Sequence, residues 1–233
     1  MIKVVAFDLD DTLWDPRPVM IRAEKELAAW LTTAVPGFTY DPGQMRSIRQ
    51  QLLEQEPALA GKLTELRLRV LNEALTCHGL TPSDAGATAA AAMDVFLAWR
   101  NRVELFGGAL GAIERLSRRF ILGALSNGNA DIRRVGLDRH FAFAFSAEQV
   151  GAPKPDHALF HAALAHTGVM PDQFVYVGDD PHLDVDAAKR AGLCTIWVKR
   201  NQAAKPGETV ADQVVSDVRF VPEAVDQLIA DRT

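Results

Sequence analysis

The sequence Val4-Val5-Ala6-Phe7-Asp8-Leu9-Asp10-Asp11-Thr12-Leu13 joins a short apolar run to a dense group of carboxylates. The apolar run predicts a strand that is buried on both faces. The carboxylates repel one another, but together they suit a divalent cation, because hard cations prefer oxygen ligands. Open α/β sheets bind ligands at the carboxyl ends of their strands, which is where this group falls. The stretch therefore indicates a metal-dependent site, with an acidic turn or a helix N-cap as the alternative.

The composition is that of a globular protein, since the 233 residues are 48% hydrophobic and 24% charged. The formal net charge of −5 argues against a nucleic-acid-binding surface. Cys77 and Cys194 form neither a disulfide framework nor a metal-ligand pair, and each is expected to be a buried, inert thiol. There is no signal-peptide pattern and no apolar run of about 18 residues. We therefore expect a cytoplasmic monomer or homodimer without nucleic-acid or membrane partners.

The pattern from Pro18 to Arg102 is helical. Four helices are expected, over residues 18–31, 42–54, 62–78 and 82–102, and the second and fourth are each preceded by a capping residue and begin with proline. Gly107-Gly108 then marks a boundary. The chain is therefore expected to divide into a helical region at 16–104, inserted after the first strand, and a core formed by 1–15 and 105–233.

Strands alternate with helices after Ala109. Further strands are expected near residues 120–125, 143–145, 174–177 and 195–198, followed by a short strand near Val214 and a helix over 222–230. A helix is also expected over 184–191, ended by Gly192. This alternation predicts an α/β fold with a doubly wound, Rossmann-like parallel sheet.

Polar side chains follow four of these strands. They are Asp8 and Asp10 after the first, Ser126 and Asn127 after the second, Lys154 in the loop after the third, and Asp179 and Asp184 after the fourth. Because parallel strands end at one edge of a sheet, these groups are expected to converge. Phosphoryl transfer uses such groups, since cations neutralise phosphate oxygens, neutral donors orient them and a carboxylate attacks phosphorus.

The same residues carry a resemblance to the haloacid dehalogenase superfamily of phosphohydrolases over essentially the whole chain. The first motif of that superfamily, Asp-x-Asp-x-Thr, matches residues 8–12, and its second, a Ser or Thr at a strand end, matches Ser126. The third, a Lys before a helix, matches Lys154. The fourth, Gly-Asp with a later Asp, matches Gly178-Asp179 and Asp184. Four motifs in the expected order make the resemblance specific.

The resemblance implies a catalytic role for Asp8, Asp10, Ser126 and Lys154 and a substrate-binding role for Asn127. Asp8 is expected to be the nucleophile, and Asp10 the general acid and base. Ser126 and the backbone of Asn127 are expected to hold the phosphoryl group. Lys154 is expected to bridge that group and the nucleophile.

The resemblance also implies a Mg²⁺ site. Asp8, the backbone carbonyl of Asp10 and Asp179 are expected to bind the ion directly, and Asp184 to bind it indirectly or to orient a ligand. The helical region is expected to be a cap that closes over the site and excludes water.

A narrower resemblance is to a bacterial subgroup that dephosphorylates flavin mononucleotide (FMN) and 5-amino-6-(5-phosphoribitylamino)uracil, a riboflavin precursor. The similar segments are residues 8–19, 66–69, 98–102 and 126–129. Arg17 is expected to contact a polar part of the substrate, with a solvated helix charge as the alternative.

Five further side chains have two interpretations each. Arg67 and Arg69 either contact substrate or are solvated helix charges. Trp14, Trp30 and Trp99 either stack on a flavin or uracil ring or pack the protein interior.

Asp10 separates the chemistries of the superfamily, because its carbon–halogen hydrolases lack an aspartate at this position and halide leaves without protonation. The expected activity is therefore a phosphatase that acts on FMN or the ribitylaminouracil phosphate. A nucleotide, phosphoglycolate or a sugar phosphate is the alternative substrate. A 2-haloacid dehalogenase and a non-catalytic binding protein are the remaining alternatives.

Overall fold

A computed structural model describes residues 1–232, and its core is a six-stranded parallel sheet. The strands are β1 (Val4–Phe7), β2 (Ile121–Ser126), β3 (Phe143–Ser146), β4 (Phe174–Gly178), β5 (Cys194–Val198) and β6 (Gln213–Val215). Their order is β3-β2-β1-β4-β5-β6, so the direction of winding reverses between β1 and β4. The doubly wound parallel fold predicted from the alternation is confirmed, and such sheets bind ligands at this point of reversal.

The strand β1 is buried on both faces. Val5 and Phe7 belong to the hydrophobic cluster on one side of the sheet, and Val4 and Ala6 belong to the cluster on the other side. The helices of this part of the chain are α5 (Ala109–Ser117), α6 (Ile132–Val135), α7 (Ala147–Val150), α8 (Ala158–Thr167), α9 (Ala187–Arg190) and α10 (Val221–Ala230). The continuous apolar run predicted this two-sided burial because neither face of the strand meets water.

The chain between β1 and β2 contains four long helices. They are α1 (Pro16–Ala34), α2 (Pro42–Gln55), α3 (Leu63–Cys77) and α4 (Pro82–Arg100). Asp41 caps α2 by accepting a 2.8 Å hydrogen bond from the Gly43 backbone N–H, and Thr81 caps α4 by accepting a 3.2 Å hydrogen bond from the Asp84 backbone N–H. The helices enclose a hydrophobic cluster of their own.

The chain forms two compact units, one of residues 1–16 and 103–233 and one of residues 17–102. None of the helices within residues 1–232 combines the length and apolarity that crossing a bilayer requires. One expected helix differs in form, because a π-helical turn occupies Pro181–Asp186 before α9 begins. Asp180 Oδ1 accepts hydrogen bonds from the backbone N–H groups of both His182 and Leu183, and this starts the turn before Asp184.

The prediction for one of the two cysteines is wrong. Cys194 is buried at the start of β5, as expected, but Cys77 is exposed. Cys77 is the last residue of α3, and the buried side chains of that helix are the apolar residues Leu66, Val70, Leu71, Ala74 and Leu75. Cys77 lies in the last turn, beyond the last buried side chain of the helix, and its Sγ lies 3.8 Å from Glu73 Oε1.

Candidate active site

A cavity of about 200 Å³ lies at the carboxyl ends of the strands. Its lining contains seven of the eight predicted site residues, namely Asp8, Asp10, Ser126, Asn127, Lys154, Asp179 and Asp184, together with Asp11, Gly128, Asp180 and Leu183. The register explains the convergence, because Phe7 pairs with Ala124 of β2 and with Val177 of β4. Each of these strands therefore ends within two residues of the others.

Lys154 forms the buried centre of the cluster. Its ammonium Nζ lies 2.6 Å from Asp8 Oδ1, 2.7 Å from Asp184 Oδ1 and 2.8 Å from the Tyr176 hydroxyl. Burial opposes the charge of Lys154, but the two carboxylates together with Tyr176 outweigh it and raise the lysine pKa. The cation therefore stays charged beside the expected nucleophile.

Tyr176 belongs to the site although no sequence motif predicted it. Its hydroxyl donates to the Leu125 carbonyl at 2.9 Å and accepts from Lys154, so the three N–H groups of the ammonium each have an acceptor. Burial raises the tyrosine pKa, and the neighbouring Asp184 and Asp8 raise it further, which keeps the hydroxyl protonated. Tyr176 resembles any other residue of a buried strand in sequence. In the sequence, only its position two residues before Gly178 of the fourth motif connects Tyr176 with the site.

The side chain of Asn127 holds the peptide unit of Lys154. Asn127 Oδ1 accepts from the Lys154 backbone N–H at 2.7 Å, and Asn127 Nδ2 donates to the Lys154 carbonyl at 2.9 Å. Ser126 is buried, and its Oγ accepts a 2.9 Å hydrogen bond from the Gly128 backbone N–H. The Gly128 N–H occupies one acceptor position of the Ser126 hydroxyl, whose O–H is available to donate a hydrogen bond.

Three carboxylates could hold a cation. In residues 1–232 the one group with metal-ligand spacing is Asp8, Asp179 and Asp184, whose oxygens all lie within 4.8 Å of one another. Burial raises the pKa of Asp179 to about 7, and the nearby charge of Asp184 adds to the shift. Burial also raises the pKa of Asp8. Such crowding of oxygen ligands, two of them on buried residues, is costly without a second positive charge, so the donor set fits Mg²⁺.

Thr12 links two of these carboxylates. Its hydroxyl donates to Asp179 Oδ1 at 3.0 Å and lies 3.3 Å from Asp8 Oδ2. Trp197 supports Asp179 from the other side, because its indole N–H donates to the Asp179 carbonyl at 2.8 Å. These contacts orient the two strand ends with respect to each other.

Gly178 leaves room for Asp184. A Cβ atom at position 178 would lie 2.3 Å from both Cγ and Oδ2 of Asp184, a distance that forces the carboxylate to move. Asp184 Oδ2 also accepts a 3.0 Å hydrogen bond from the Asp180 backbone N–H, which fixes the present position.

We expect Gly178→Ala to weaken Mg²⁺ binding by about 10–100-fold, because it displaces a carboxylate that orients the metal site. The Mg²⁺ concentration for half-maximal activity and calorimetric Mg²⁺ binding would measure the change. Gly111→Ala is the matched control, because a Cβ there meets nothing within 4 Å. Equal Mg²⁺ affinities in the two variants would contradict the role assigned to Gly178.

The remaining predicted residues lie outside this cavity lining. Arg17 lies at the second position of α1 and is exposed, and its contact with substrate stays a prediction. Arg67 pairs with Glu24 at 2.7 Å and lies 3.9 Å from the centre of the Phe96 ring. Arg69 pairs with glutamates at 2.5 and 2.7 Å. Arg67 and Arg69 therefore have partners within the helical region itself.

The surroundings of the three tryptophans favour packing in the protein interior over stacking on a substrate ring. Trp14 is completely buried, and its indole N–H donates to Asp10 Oδ1 at 2.8 Å. Trp30 and Trp99 pack against the hydrophobic cluster of the four long helices, and the Arg102 guanidinium lies 3.9 Å from the centre of the Trp99 ring.

Comparisons with known proteins give the same result as the geometry. The sequence profile of the haloacid dehalogenase-like hydrolases matches residues 2–192. The chain is 32% identical to the 5-amino-6-(5-phospho-D-ribitylamino)uracil phosphatase YigB of Escherichia coli, over 85% of this chain and 84% of that protein. It is 30% identical to a phosphoserine phosphatase of Thermus thermophilus, over 96% of this chain and 100% of that protein.

A solved structure is more similar still. The crystal structure of a 2-haloacid dehalogenase from Pseudomonas syringae pv. Tomato DC3000 superposes with a TM-score of 0.93 and 38% identity, over 97% of this chain and 99% of that one. The profile match spans all four motifs, from Asp8 to Asp184, and both curated relatives are phosphatases. The chain is therefore an enzyme and belongs to the haloacid dehalogenase-like hydrolase family.

Proposed function

We propose that the protein is a Mg²⁺-dependent phosphomonoesterase that works through a phospho-Asp8 intermediate. The observation that carries this proposal is the presence of two carboxyl groups with different surroundings in one cavity. Asp8 is buried against the Lys154 ammonium, whereas Asp10 is half-buried and meets the indole of Trp14. The first environment suits a nucleophile and the second suits an acid and base.

The residues of the cavity divide the work of phosphoryl transfer. The Ser126 hydroxyl and the backbone N–H groups of the loop that follows it bind two phosphoryl oxygens, and Lys154 offsets the charge shared between phosphate and Asp8. The Asp8 carboxylate attacks phosphorus while Asp10 gives its proton to the departing oxygen. Asp10 then removes a proton from the water that cleaves the phospho-aspartate. Asp8, the Asp10 carbonyl and Asp179 would hold Mg²⁺ directly, Asp184 would bind it indirectly or orient a ligand, and the ion would neutralise charge on the transferred group.

We propose the 5-phosphoribityl group of FMN or of 5-amino-6-(5-phosphoribitylamino)uracil as the substrate moiety. The similarity to the Escherichia coli ribitylaminouracil phosphatase along 84% of its length supports this choice. Arg17 is the residue of the helical region that we assign to the polar part of the substrate. The helical region would act as a lid that excludes water during transfer. Phosphoserine, nucleotides, phosphoglycolate and sugar phosphates are the alternative substrates within the same chemistry.

A 2-haloacid dehalogenase is the second candidate function, because the similar Pseudomonas syringae structure is described as one. Halide displacement by Asp8 would need no proton donor, since halide is a stable anion. Asp10 would then have no catalytic role, although it lines the cavity. This arrangement favours the phosphatase.

The experiment that tests the proposal is Mg²⁺-dependent release of phosphate from a panel of phosphate esters, with halide release from 2-haloacids measured in parallel. The panel contains FMN, the ribitylaminouracil phosphate, phosphoserine, a pyrimidine nucleotide and phosphoglycolate. The proposal expects the largest kcat/KM for the two ribityl phosphates. A larger kcat/KM for another ester would support the phosphatase chemistry but contradict the proposed ribityl phosphate substrate. Halide release without phosphate release would overturn the phosphatase.

Metal removal should stop turnover and lower stability together. We expect EDTA to abolish phosphate release and added Mg²⁺ to restore it. Mg²⁺ at about 100 times its Kd should also stabilise the folded protein by about 2.7 kcal/mol, because it binds a preformed group of carboxylates. Thermal unfolding with and without Mg²⁺ measures this second effect independently of activity. The control is Asp179→Asn, in which Mg²⁺ should stabilise the folded protein much less. If Mg²⁺ stabilises this variant as much as wild type, the ion binds elsewhere.

A further inference from the structure

Trp14 touches the expected general acid. Its indole Nε1 donates a 2.8 Å hydrogen bond to Asp10 Oδ1, and the ring itself has no exposed surface. A buried indole N–H requires an acceptor, and here the acceptor is the carboxyl group on which proton transfer depends. The contact therefore joins a rigid core side chain to a group that lines the cavity.

The backbone fixes the donor as well. Trp14 forms a β-bridge with Asp10 and a second, antiparallel bridge with Leu105. The Asp11 N–H donates to the Trp14 carbonyl at 2.8 Å, and the Phe106 N–H donates to the Leu13 carbonyl at 2.8 Å. These bonds fix the main chain that carries the indole, and complete burial restricts rotation of the ring, so its N–H favours one orientation of the Asp10 carboxyl group.

We propose that Trp14 is a positioning residue whose indole N–H holds the Asp10 carboxyl group in the orientation for proton transfer to the leaving oxygen. This inference rests on the phosphatase function proposed above. The alternative is that Trp14 only fills volume in the core and Asp10 only satisfies its N–H. Both alternatives explain the burial, but they differ in how catalysis responds to loss of the N–H.

The chemistry provides the distinction. In the first step the bond from Asp8 to phosphorus forms, the bond from phosphorus to the ester oxygen breaks, and the Asp10 proton moves to that oxygen. A nitrophenolate leaves as a stable anion and needs little protonation, whereas an alkoxide needs a full proton. Because kcat/KM covers steps up to departure of the leaving group, it reports proton donation without the later hydrolysis of the phospho-aspartate.

The test compares wild type with Trp14→Phe on p-nitrophenyl phosphate and on the best alkyl phosphate of the panel. General acid catalysis contributes about 10²–10⁴-fold, so a misoriented acid should cost about 10-fold or more in kcat/KM for the alkyl ester. The loss for p-nitrophenyl phosphate should stay below about 3-fold, because that leaving group draws little on general acid catalysis. Incorporation of 3-benzothienylalanine at position 14, which replaces the N–H by sulfur and keeps the ring shape, gives the same comparison if phenylalanine disturbs folding.

A double-mutant cycle completes the test. Asp10→Asn keeps the hydrogen-bond acceptor but cannot donate a proton as an acid, so Trp14→Phe should no longer change the alkyl-to-aryl ratio in that background. Equal losses on both esters in the single variant, or the same ratio change with and without Asp10, would overturn the positioning role. A wild-type enzyme inactive on every phosphate ester would instead overturn the proposed function and this inference with it.

Discussion

Asp8→Asn is expected to abolish turnover while leaving the protein folded. The amide is a far weaker nucleophile than the carboxylate, and removal of a covalent nucleophile lowers kcat by about 10⁴-fold or more. Phosphate release with the best substrate of the panel measures this loss. The mass of wild-type protein quenched in acid during turnover should also show a phosphoryl adduct, and the variant should show none.

Asp8→Asn is expected to keep or increase the stability of the folded protein, although it abolishes activity. Burial raises the pKa of Asp8, so the folded protein disfavours the carboxylate relative to the unfolded chain. A neutral amide of the same shape removes that cost, and Lys154 keeps Asp184 as an ion-pair partner at 2.7 Å. Chemical unfolding in EDTA near neutral pH should therefore show Asp8→Asn to be at least as stable as wild type.

The control for Asp8→Asn is Asp138→Asn, which makes the same chemical change at an exposed position. It should keep wild-type activity and stability. Wild-type activity in a preparation of Asp8→Asn with the correct intact mass would contradict the covalent mechanism. A large loss of stability in Asp8→Asn would contradict the electrostatic account of the cluster.

The site was predictable from sequence where its residues follow strands directly. Asp8, Ser126 and Asp179 each lie at or just past the end of a buried apolar run, and a parallel sheet places such ends together whatever the details of packing. Lys154 was predicted from its place in the loop after the third strand and from the family motif, although it lies eight residues past the end of β3 and beyond α7. Strand periodicity says nothing about where a connection of that length returns.

Contacts that depend on the registers of neighbouring strands were not predictable. Tyr176 reaches Lys154 because β4 pairs directly with β1 and Tyr176 lies level with Ala6, a relation that exists only after the crossover is complete. The side-chain contact of Asn127 with the Lys154 peptide requires two loops to meet. Local patterns fix the identity of an element, whereas these contacts belong to pairs of elements far apart in the chain.

The ion pairs of the helical region were likewise only partly predictable from sequence. Arg67 and Arg69 resemble substrate contacts in sequence, but each forms ion pairs with glutamates of the same unit. A helical arginine has partners within one turn and partners on neighbouring helices, and only the first kind can be anticipated from spacing. The partner of Arg67, Glu24, is on α1, 43 residues away.

Lys154→Met is expected to be the most destabilising single change in the cluster. It leaves Asp8 and Asp184, both buried, without their shared cation, and breaking a buried ion pair in this way costs about 3–5 kcal/mol. The Tyr176 hydroxyl also loses a donor, although it keeps the Leu125 carbonyl as acceptor. The free energy of unfolding in urea with EDTA, at pH 7.5, measures the loss. Activity should fall in parallel, since Lys154 also offsets charge on the transferred phosphoryl group.

Lys205→Met is the matched control, because Lys205 is exposed and its replacement should change stability by no more than about 0.5 kcal/mol. Mg²⁺ should recover part of the stability lost in Lys154→Met, since a second cation can occupy the same group of carboxylates. If the unfolding free energies of the two variants agree, the hydrogen bonds of the Lys154 ammonium contribute nothing net to the fold. The role of Lys154 would then be confined to catalysis.

The pH dependence of Lys154→Met tests the origin of its instability. Burial raises the pKa of Asp8, and the charge of Lys154 is the largest factor that lowers it. Without the lysine the pKa of Asp8 in the folded state rises further above its value in the unfolded chain. In acid, Asp8 is neutral in both the folded and the unfolded chain, so the variant should there be closest to wild type in stability. As the pH rises through the raised folded-state pKa of Asp8, the variant should lose stability relative to wild type. A deficit that does not change with pH over the whole range in which both proteins fold would identify lost packing of the lysine stem, rather than an uncompensated buried charge, as the cause.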